Sequence, residues 1–462
     1  MAGGEALQLA VLIVAVLVGM ALFARVVKAE GDPFIAKVIV LGLLAKVAGS
    51  LARFTFMADL YDGRGDFNRY FREGTAIAGV IRSGSLPEQA RSTGTPFMDF
   101  ISGVTYTVLP NRLWVGFALF ALLSFVGALF FLKAFQLAVP DGHHRRFALL
   151  VFFLPTMVFW PSSLGKEAWL VFTLGVTSYG AARALRRAPF GYAIAVLGGA
   201  GVFLVRPHMG ALFAIAFAGA FLLRFRDPDV KGNAIAWVVG LLIVGLAAGY
   251  AASNFGEELP RDESVEGSAT DQVFAETTRR TSQGGSAFES RPVRNPVDLA
   301  HAMVTVPFRP FPMEAHNRQA QLASLEGLFL LLLFALSIPR LASLRTALLR
   351  RPFVAMAAAY SVGFIIAFSN VGNFGILTRQ RAQLMPFLLV LLCLPLLNRR
   401  SRTGDAPEPA ATPQGIVASR GQPVLVVAQP PPSATETTSA PRSPAPRPPA
   451  PPVLPPDPPS AR

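Results

Sequence analysis

Three carboxylates stand close together in the stretch MADLYDGRGDFNRYFREG: Asp59, Asp62 and Asp66, interleaved with Arg64, Arg69, Arg72 and Glu73. A carboxylate so placed can take the proton of a hydroxyl nucleophile as its new bond forms. It could do so with or without a divalent cation, Mg or Mn, held by oxygen ligands. Asp66 is preferred, because Phe67 and Tyr70 follow it at helical spacing and place it on an amphipathic helix. Asp59 comes second, and Asp62 completes the catalytic candidates. The competing interpretation is a solvated turn with ordinary salt bridges.

Four further segments carry charge where the neighbouring residues are apolar. In FFLPTMVFWPSSLGKEAW the apolar run breaks at Pro161 and then offers Ser162, Ser163, Lys166 and Glu167. A helix returning from that break would aim its positive N-terminal end at the surface, with Lys166 adding a full charge, which suits phosphate; a capped turn with Lys166 snorkelling is the alternative. In VFLVRPHMGALF, Arg206 and His208 interrupt a hydrophobic hairpin. An arginine there is costly unless it is paired or faces a wet cavity. His208 could shuttle a proton, orient a hydroxyl or serve as a hydrogen-bonded partner. In VPFRPFPMEAHNRQAQLASLEGLFLL, Arg309 lies in a frame of prolines and aromatics, followed by Glu314, His316, Arg318 and Glu326. Phe308 and Phe311 would dip toward acyl chains while Arg309 meets a headgroup or pyrophosphate. Finally, NVGNFGILTRQRAQLMPF holds Arg379 and Arg381 in a connection ahead of the last apolar run, with Asn370 and Asn373 beside them.

The elements that must position these residues are membrane helices. Of 462 residues 52% are hydrophobic and 15% charged, with a mean hydropathy of +0.46, whereas soluble domains carry about 25% charged residues. This excludes a soluble enzyme and global disorder. A single cysteine, Cys393, excludes a disulfide scaffold and a cysteine-based metal site. Five histidines without HxxxH or HExxH spacing would leave any metal to carboxylates, and no ligand set can be named. Taking about 20 residues per crossing, about eleven apolar runs lie near 6–24, 34–56, 113–135, 147–161, 168–184, 190–206, 209–224, 233–252, 323–339, 352–370 and 382–397. The first is read as a span and not a signal peptide, because Glu5 stands where a basic segment is expected and no clean cleavage site precedes Arg25.

Six basic clusters fall on alternate connections: Arg25 and Lys28; Lys133, Arg145 and Arg146; Arg183, Arg186 and Arg187; Arg224, Arg226 and Lys231; Arg340, Arg345, Arg350 and Arg351; and Arg399, Arg400 and Arg402. By the positive-inside rule that side is cytoplasmic, which sets the N-terminus outside and the C-terminus inside. The net charge of +14 is thereby spread over short loops, so a nucleic-acid groove is not expected. Two long connections, about 57–112 and 253–322, map to the outer face. The segment from Asn254 to about Glu289 is acidic and Gly/Ser-rich and is expected to be flexible; the proline-studded remainder is expected to be ordered. Residues 1–400 form the membrane domain. Residues 401–462 are expected to be a cytoplasmic, proline-rich disordered tail, either a dispensable spacer or a ligand for a protein partner with a proline-binding module.

Asp66, Lys166, Arg206, Arg309 and the Arg379/Arg381 pair thus come from five connections to one face. Cations beside a carboxylate suit a lipid-anchored, phosphorylated donor and a hydroxyl acceptor, the cations stabilising charge on the departing phosphate. No GxxxxGK[ST] loop is present, and such chemistry needs no ATP. On the segments DLYDGRGDFNRYF, FWPSSLGKE, LVRPH, FRPFPMEAHNRQAQLASLEG and LTRQRAQLMPF, the chain resembles bacterial polytopic glycosyltransferases of the GT-C type and the related exopolysaccharide or O-antigen polymerases, over about residues 30–397. The resemblance implies an inner-membrane enzyme of cell-envelope polysaccharide assembly that uses a polyprenyl-linked sugar donor and a glycan, lipid or protein acceptor. It implies a base at Asp66 or Asp59, and phosphate or pyrophosphate contacts at Arg206, Arg309, Arg379 and Arg381. A transporter or flippase of lipid-linked sugars, without chemistry, is the rival, and a non-enzymatic assembly subunit is the third reading; no convincing internal repeat supports alternating access.

Overall fold

The computed structural model describes residues 2–60, 65–223, 287–315 and 318–396. The expected span at 233–252, most of the acidic half of the second long connection, Asp62, His316 and the tail 401–462 lie outside the described residues. Those described are helical, with one isolated bridge between Ala287 and Asn373 and no strand. In chain order the helices are α1 (Ala2–Lys28), α2 (Pro33–Leu60), α3 (Asp66–Arg82), α4 (Thr95–Val108), α5 (Leu113–Ala138), α6 (His144–Phe153), α7 (Pro155–Phe159) and α8 (Lys166–Leu185). They continue as α9 (Gly191–Val205), α10 (Pro207–Leu223), α11 (Pro296–Phe308), α12 (Arg318–Ala335), α13 (Ile338–Leu341), α14 (Leu344–Arg350), α15 (Pro352–Phe368) and α16 (Phe374–Leu392).

Three stretches are long and apolar enough to cross a membrane unaided: Ala6–Lys28, Pro33–Phe56 and Leu113–Ala138. A fourth arises if α14 and α15, bent by 113° at their junction, count as one. This corrects the expectation of about eleven transmembrane helices, ten to twelve, some of them shorter runs broken at Pro or Gly. Prolines are one physical reason. Pro155 divides the run expected at 147–161 into α6 and α7, earlier than the break expected at Pro161, and Pro207 separates α9 from α10. At 15 residues, α9 reaches about 23 Å, short of a hydrocarbon core of about 30 Å. The first long connection is also mostly helical, being filled by α3 and α4.

One face of α2 seats the broken segment. Gly42, Lys46, Gly49 and Arg53 recur along it at steps of four, three and four residues, the spacing of a single helical stripe. At Gly49 a Cβ would lie 2.7 Å from the Val158 carbonyl, so only glycine admits that approach. Lys46 Nζ donates to the Met157 carbonyl at 2.6 Å, and Arg53 Nε donates to Ser163 Oγ at 3.2 Å while its guanidinium lies 4.6 Å from the Trp160 ring centroid. Leu154 leads into α7 and has no side chain able to cap it. Glu326 of α12 supplies the missing acceptor: its two oxygens take the Thr156 N–H at 2.7 Å and the Thr156 hydroxyl at 2.9 Å.

The ends of α2 differ in kind. At its N-terminal end the connections are tied by ion pairs: Glu30 with Lys133 at 2.6 Å, Asp32 with Arg145 at 2.7 Å, and Asp141 with both guanidinium nitrogens of Arg351 at 2.6 and 2.7 Å. Arg146 donates to Ser337 Oγ at 2.6 Å and Arg340 to the Leu394 carbonyl at 2.9 Å. Hydrogen bonds from Arg145 and Arg351 hold the Asp32 and Asp141 carboxyls below the usual range. Over the 28 residues of α2, about 40 Å separates this belt from the other end.

The helices between the two ends pack backbone to backbone. A Cβ on Gly127 of α5 would overlap the Val171 carbonyl of α8, and one on Gly175 of α8 would overlap the Gly127 carbonyl. Close approach of small residues is what holds helices together where lipid offers no hydrophobic drive. Gly175→Val must therefore separate α5 from α8, whereas Gly19→Val on α1 meets nothing within 4 Å. In detergent, the first should lower the melting temperature or yield aggregate, by a penalty of about 1–3 kcal/mol or more, and the second should leave both melting temperature and size-exclusion profile unchanged.

Candidate functional site

The site is assembled at the C-terminal end of α2 by breaks in four apolar segments. Arg206 caps α9 with a non-helical backbone, φ −142° and ψ 86°, because Pro207 follows it and bars the helical conformation. The turn 160–165 delivers α8 with Lys166 and Glu167 in its first turn. Asn373 opens α16 by accepting the Gly375 and Ile376 N–H groups at 2.9 and 3.2 Å, which sets Arg379 and Gln380 in the second turn. Asp66 is the first residue of α3, whose buried face is Phe67, Tyr70, Gly74, Ile77 and Ala78.

These elements meet at Glu167. Its Oε1 lies 3.2 Å from Arg206 Nη2 and 3.2 Å from Arg379 Nε, and both Glu167 and Arg206 are buried. Arg206 also donates to Gln380 Oε1. Arg379 continues outward to Asp66, its Nη1 lying 3.1 Å from Asp66 Oδ2, and the Asp66 side chain is 66% exposed. Lys166 Nζ donates to Thr95 Oγ1 of α4 at 2.6 Å. His208 is exposed in the first turn of α10, within electrostatic reach of Arg206 and Lys166. The sequence-derived candidates Asp66, Lys166, Glu167, Arg206, His208 and Arg379 therefore share one neighbourhood. Asp59 ends in the last turn of α2, and Asp62 is outside the described residues. Among the described residues no three His, Cys, Asp or Glu side chains group as metal ligands; the oxygens of Asp66 and Glu167 are instead engaged by arginine.

Two expectations are corrected. Arg379 and Arg381 do not lie in a connection before a span starting near 382: Asn373 starts α16 at Phe374, so both are helical, and Arg381 is only 1% exposed. Arg381 turns away from Glu167 and donates to the Arg309 carbonyl. Arg309 pairs with Glu314 at 2.8 Å and stacks 4.9 Å from the Phe288 centroid, forming a second polar group beside the first. Phe308 does not dip toward lipid. It is buried with its ring 6.0 Å from that of Phe334, and Gly327 of α12 admits its carbonyl.

Several residues of the site were not site candidates in the sequence. Asp99 of α4 is 3% exposed, with Oδ2 at 3.1 Å from Arg69 Nη2. Burial raises its pKa above the usual carboxylate range, against the lowering influence of Arg69. Tyr70 is buried among Asp66, Glu167, Arg206 and Asp99, and burial foremost raises the pKa of its hydroxyl. Arg53 extends its charge toward Glu167 from α2. The available signal was the lone acid in TPFMDFISG and the two cations inside the second apolar run, Lys46 and Arg53.

No protein-family model, no curated protein and no solved structure matches the chain. The chemistry of the site therefore rests on its own residues. Replacing Glu167 by Gln leaves two arginines side by side with less charge to hold them. Loss of one partner of a buried pair costs about 3–5 kcal/mol, so E167Q should melt well below the wild type in a detergent thermal shift. A melting temperature unchanged by E167Q would show that Glu167 does not hold the arginines.

Proposed function

We propose that the chain is a multi-pass glycosyltransferase of the bacterial inner membrane. It moves a sugar or glycan from a polyprenyl-phosphate or pyrophosphate donor to a hydroxyl on a glycan, lipid or protein acceptor, in cell-surface polysaccharide or glycoconjugate assembly. The observation that carries this is the sharing of Glu167 by Arg206 and Arg379 beside Lys166 and Asp66. Three cations stand against two carboxylates in that group, at the first turn of a helix whose dipole adds further positive character. A departing phosphate would complete the charge balance, and fixed cations stabilise such a group most where water is scarce.

The balanced step is a substitution at the anomeric carbon. The acceptor oxygen forms a bond to that carbon, the bond from the carbon to the phosphate oxygen breaks, and the electron pair leaves with the phosphate. The acceptor proton passes to a carboxylate of the site. Arg206, Arg379 and Lys166 bind and neutralise the leaving phosphate.

The membrane arrangement belongs to this proposal. Shorter apolar helices pair within the bundle beside the long ones, where breaks are tolerated because neighbours satisfy the freed backbone groups. The ion-paired belt at Glu30, Asp32 and Asp141 faces the cytoplasm, as the basic clusters favour, and the Glu167 group faces outward.

The rival, movement of a lipid-linked sugar without chemistry, separates cleanly in detergent, where there are no two leaflets to move between. Purified protein is supplied with a radiolabelled polyprenyl-pyrophosphate-linked sugar and the extracted glycan acceptor of the same strain. The expected result is transfer by the wild type and a loss of about 100-fold or more in kcat for R206A and for R379A, as for removal of a charge-stabilising donor. Absence of product with the wild type removes the transferase reading.

A further inference from the structure

The acid that takes the proton is open to a closer assignment, which rests on the transferase reading. Asp66 is poorly suited: its side chain is mostly in water and its carboxylate is already engaged by Arg379 at 3.1 Å. Asp99 is also held by an arginine at 3.1 Å, but it is 3% exposed and its second oxygen is buried without a partner among the described residues. Gly94, at φ +76°, donates its N–H to the Leu204 carbonyl at 2.7 Å, fastening the start of α4 beside the Arg206 break. Thr95 in the next position accepts from Lys166, and Asp99 follows one turn later on the same face. Its Oδ1 is buried and has no hydrogen-bond donor, while Oδ2 is held by Arg69 alone. Arg69 itself is 53% exposed, so its guanidinium can swing away with little loss of packing.

We propose that Asp99 is the base of this site, and that Arg69 covers it until an anionic group of the substrate draws the guanidinium away. The charged and titratable groups acting on Asp99 are Arg69, Tyr70 and Glu73 from α3 and Lys166 from α8. Arg69 and Lys166 favour its ionised form, whereas burial and Glu73 disfavour it. Removing Arg69 from the carboxylate therefore strengthens the base at the moment a phosphate arrives. The proton of the acceptor hydroxyl moves to Oδ1 as the oxygen bonds to the anomeric carbon, and the phosphate leaves with the electron pair onto Arg69 and the cations around Glu167.

The test uses full-length protein in detergent with the same radiolabelled polyprenyl-pyrophosphate-linked sugar, measuring kcat and kcat/KM against pH for the wild type, D99N, D99E, D66N and R69Q. The expected result is a fall in kcat of about 100-fold or more for D99N, in the range of general-base removal, at an unchanged melting temperature. D99E should recover part of it. D66N should weaken activity without displacing the acid limb of kcat/KM. R69Q, having lost the charge and hydrogen bond that lower the pKa of Asp99, should carry that acid limb to higher pH by about one unit or more. An active D99N, or an R69Q profile superimposable on the wild type, overturns the assignment. The R69Q profile decides the matter should D99N fail to fold. If D66N alone abolishes kcat, the base is Asp66 and the transferase reading stands; if the wild type makes no product, both fall together.

Discussion

A carboxylate buried between two guanidinium groups constrains the end of the molecule around the C-terminus of α2. Glu167 could not remain charged inside an apolar bundle without Arg206 and Arg379, and the buried Arg206 has no other acid partner among the described residues. The three residues come from the start of α8, the break between α9 and α10, and the second turn of α16. Satisfying one charge thus fixes three chain segments relative to one another. Asp66 then adds α3 through Arg379, and Lys166 adds α4 through Thr95.

The breaks that bring these charges together are themselves costly, and the fold offsets each with a polar group from elsewhere. Pro155 and Pro161 interrupt helix formation within ten residues, and the freed groups there are met by Lys46 and Arg53 of α2 and by Glu326 of α12. A continuous span would need none of these side chains. Their presence in the apolar interior follows from keeping the turn 160–165 in one shape, and that turn determines where Lys166 and Glu167 begin α8. The polar groups that look misplaced in α2 and α12 are therefore supports for the site at one remove.

Much of the site was legible because charge in apolar sequence has few innocent explanations. Arg206, Lys166 and Arg379 were found on that ground, and Asp66 on the helical spacing of Phe67 and Tyr70. What could not be read was pairing. Arg206 lies 39 positions from Glu167 and 174 from Gln380, and Arg379 lies 313 from Asp66, so no local pattern links them. Arg381 shows the limit: it is two positions from Arg379 in the same helix, yet the turn of the helix sends it to Arg309 instead. Asp99 was missed because a single acid inside a helix has no motif. Its role follows only once Arg69 and Lys166 are seen beside it. The all-helical architecture was evident from hydropathy. The number of full-length spans was not, because a hydropathy window averages across Pro155 and Pro207 while the backbone cannot.

The two ends of α2 also distinguish what ion pairs are for. In the belt each acid has its own base: Glu30 with Lys133, Asp32 with Arg145, Asp141 with Arg351. These pairs tie connections together, and Arg146 and Arg340 beside them bond to the neutral Ser337 hydroxyl and Leu394 carbonyl. Around Glu167 the account does not close, since Arg206, Arg379 and Lys166 outnumber Glu167 and Asp66. Surplus positive charge in a partly buried site raises the free energy of the empty protein, and an anion that enters lowers it. By mass action, an anion that bound there would stabilise the fold. What sets this end apart is therefore the sharing of one buried carboxylate by two arginines, where the pairs at the other end join one acid to one base.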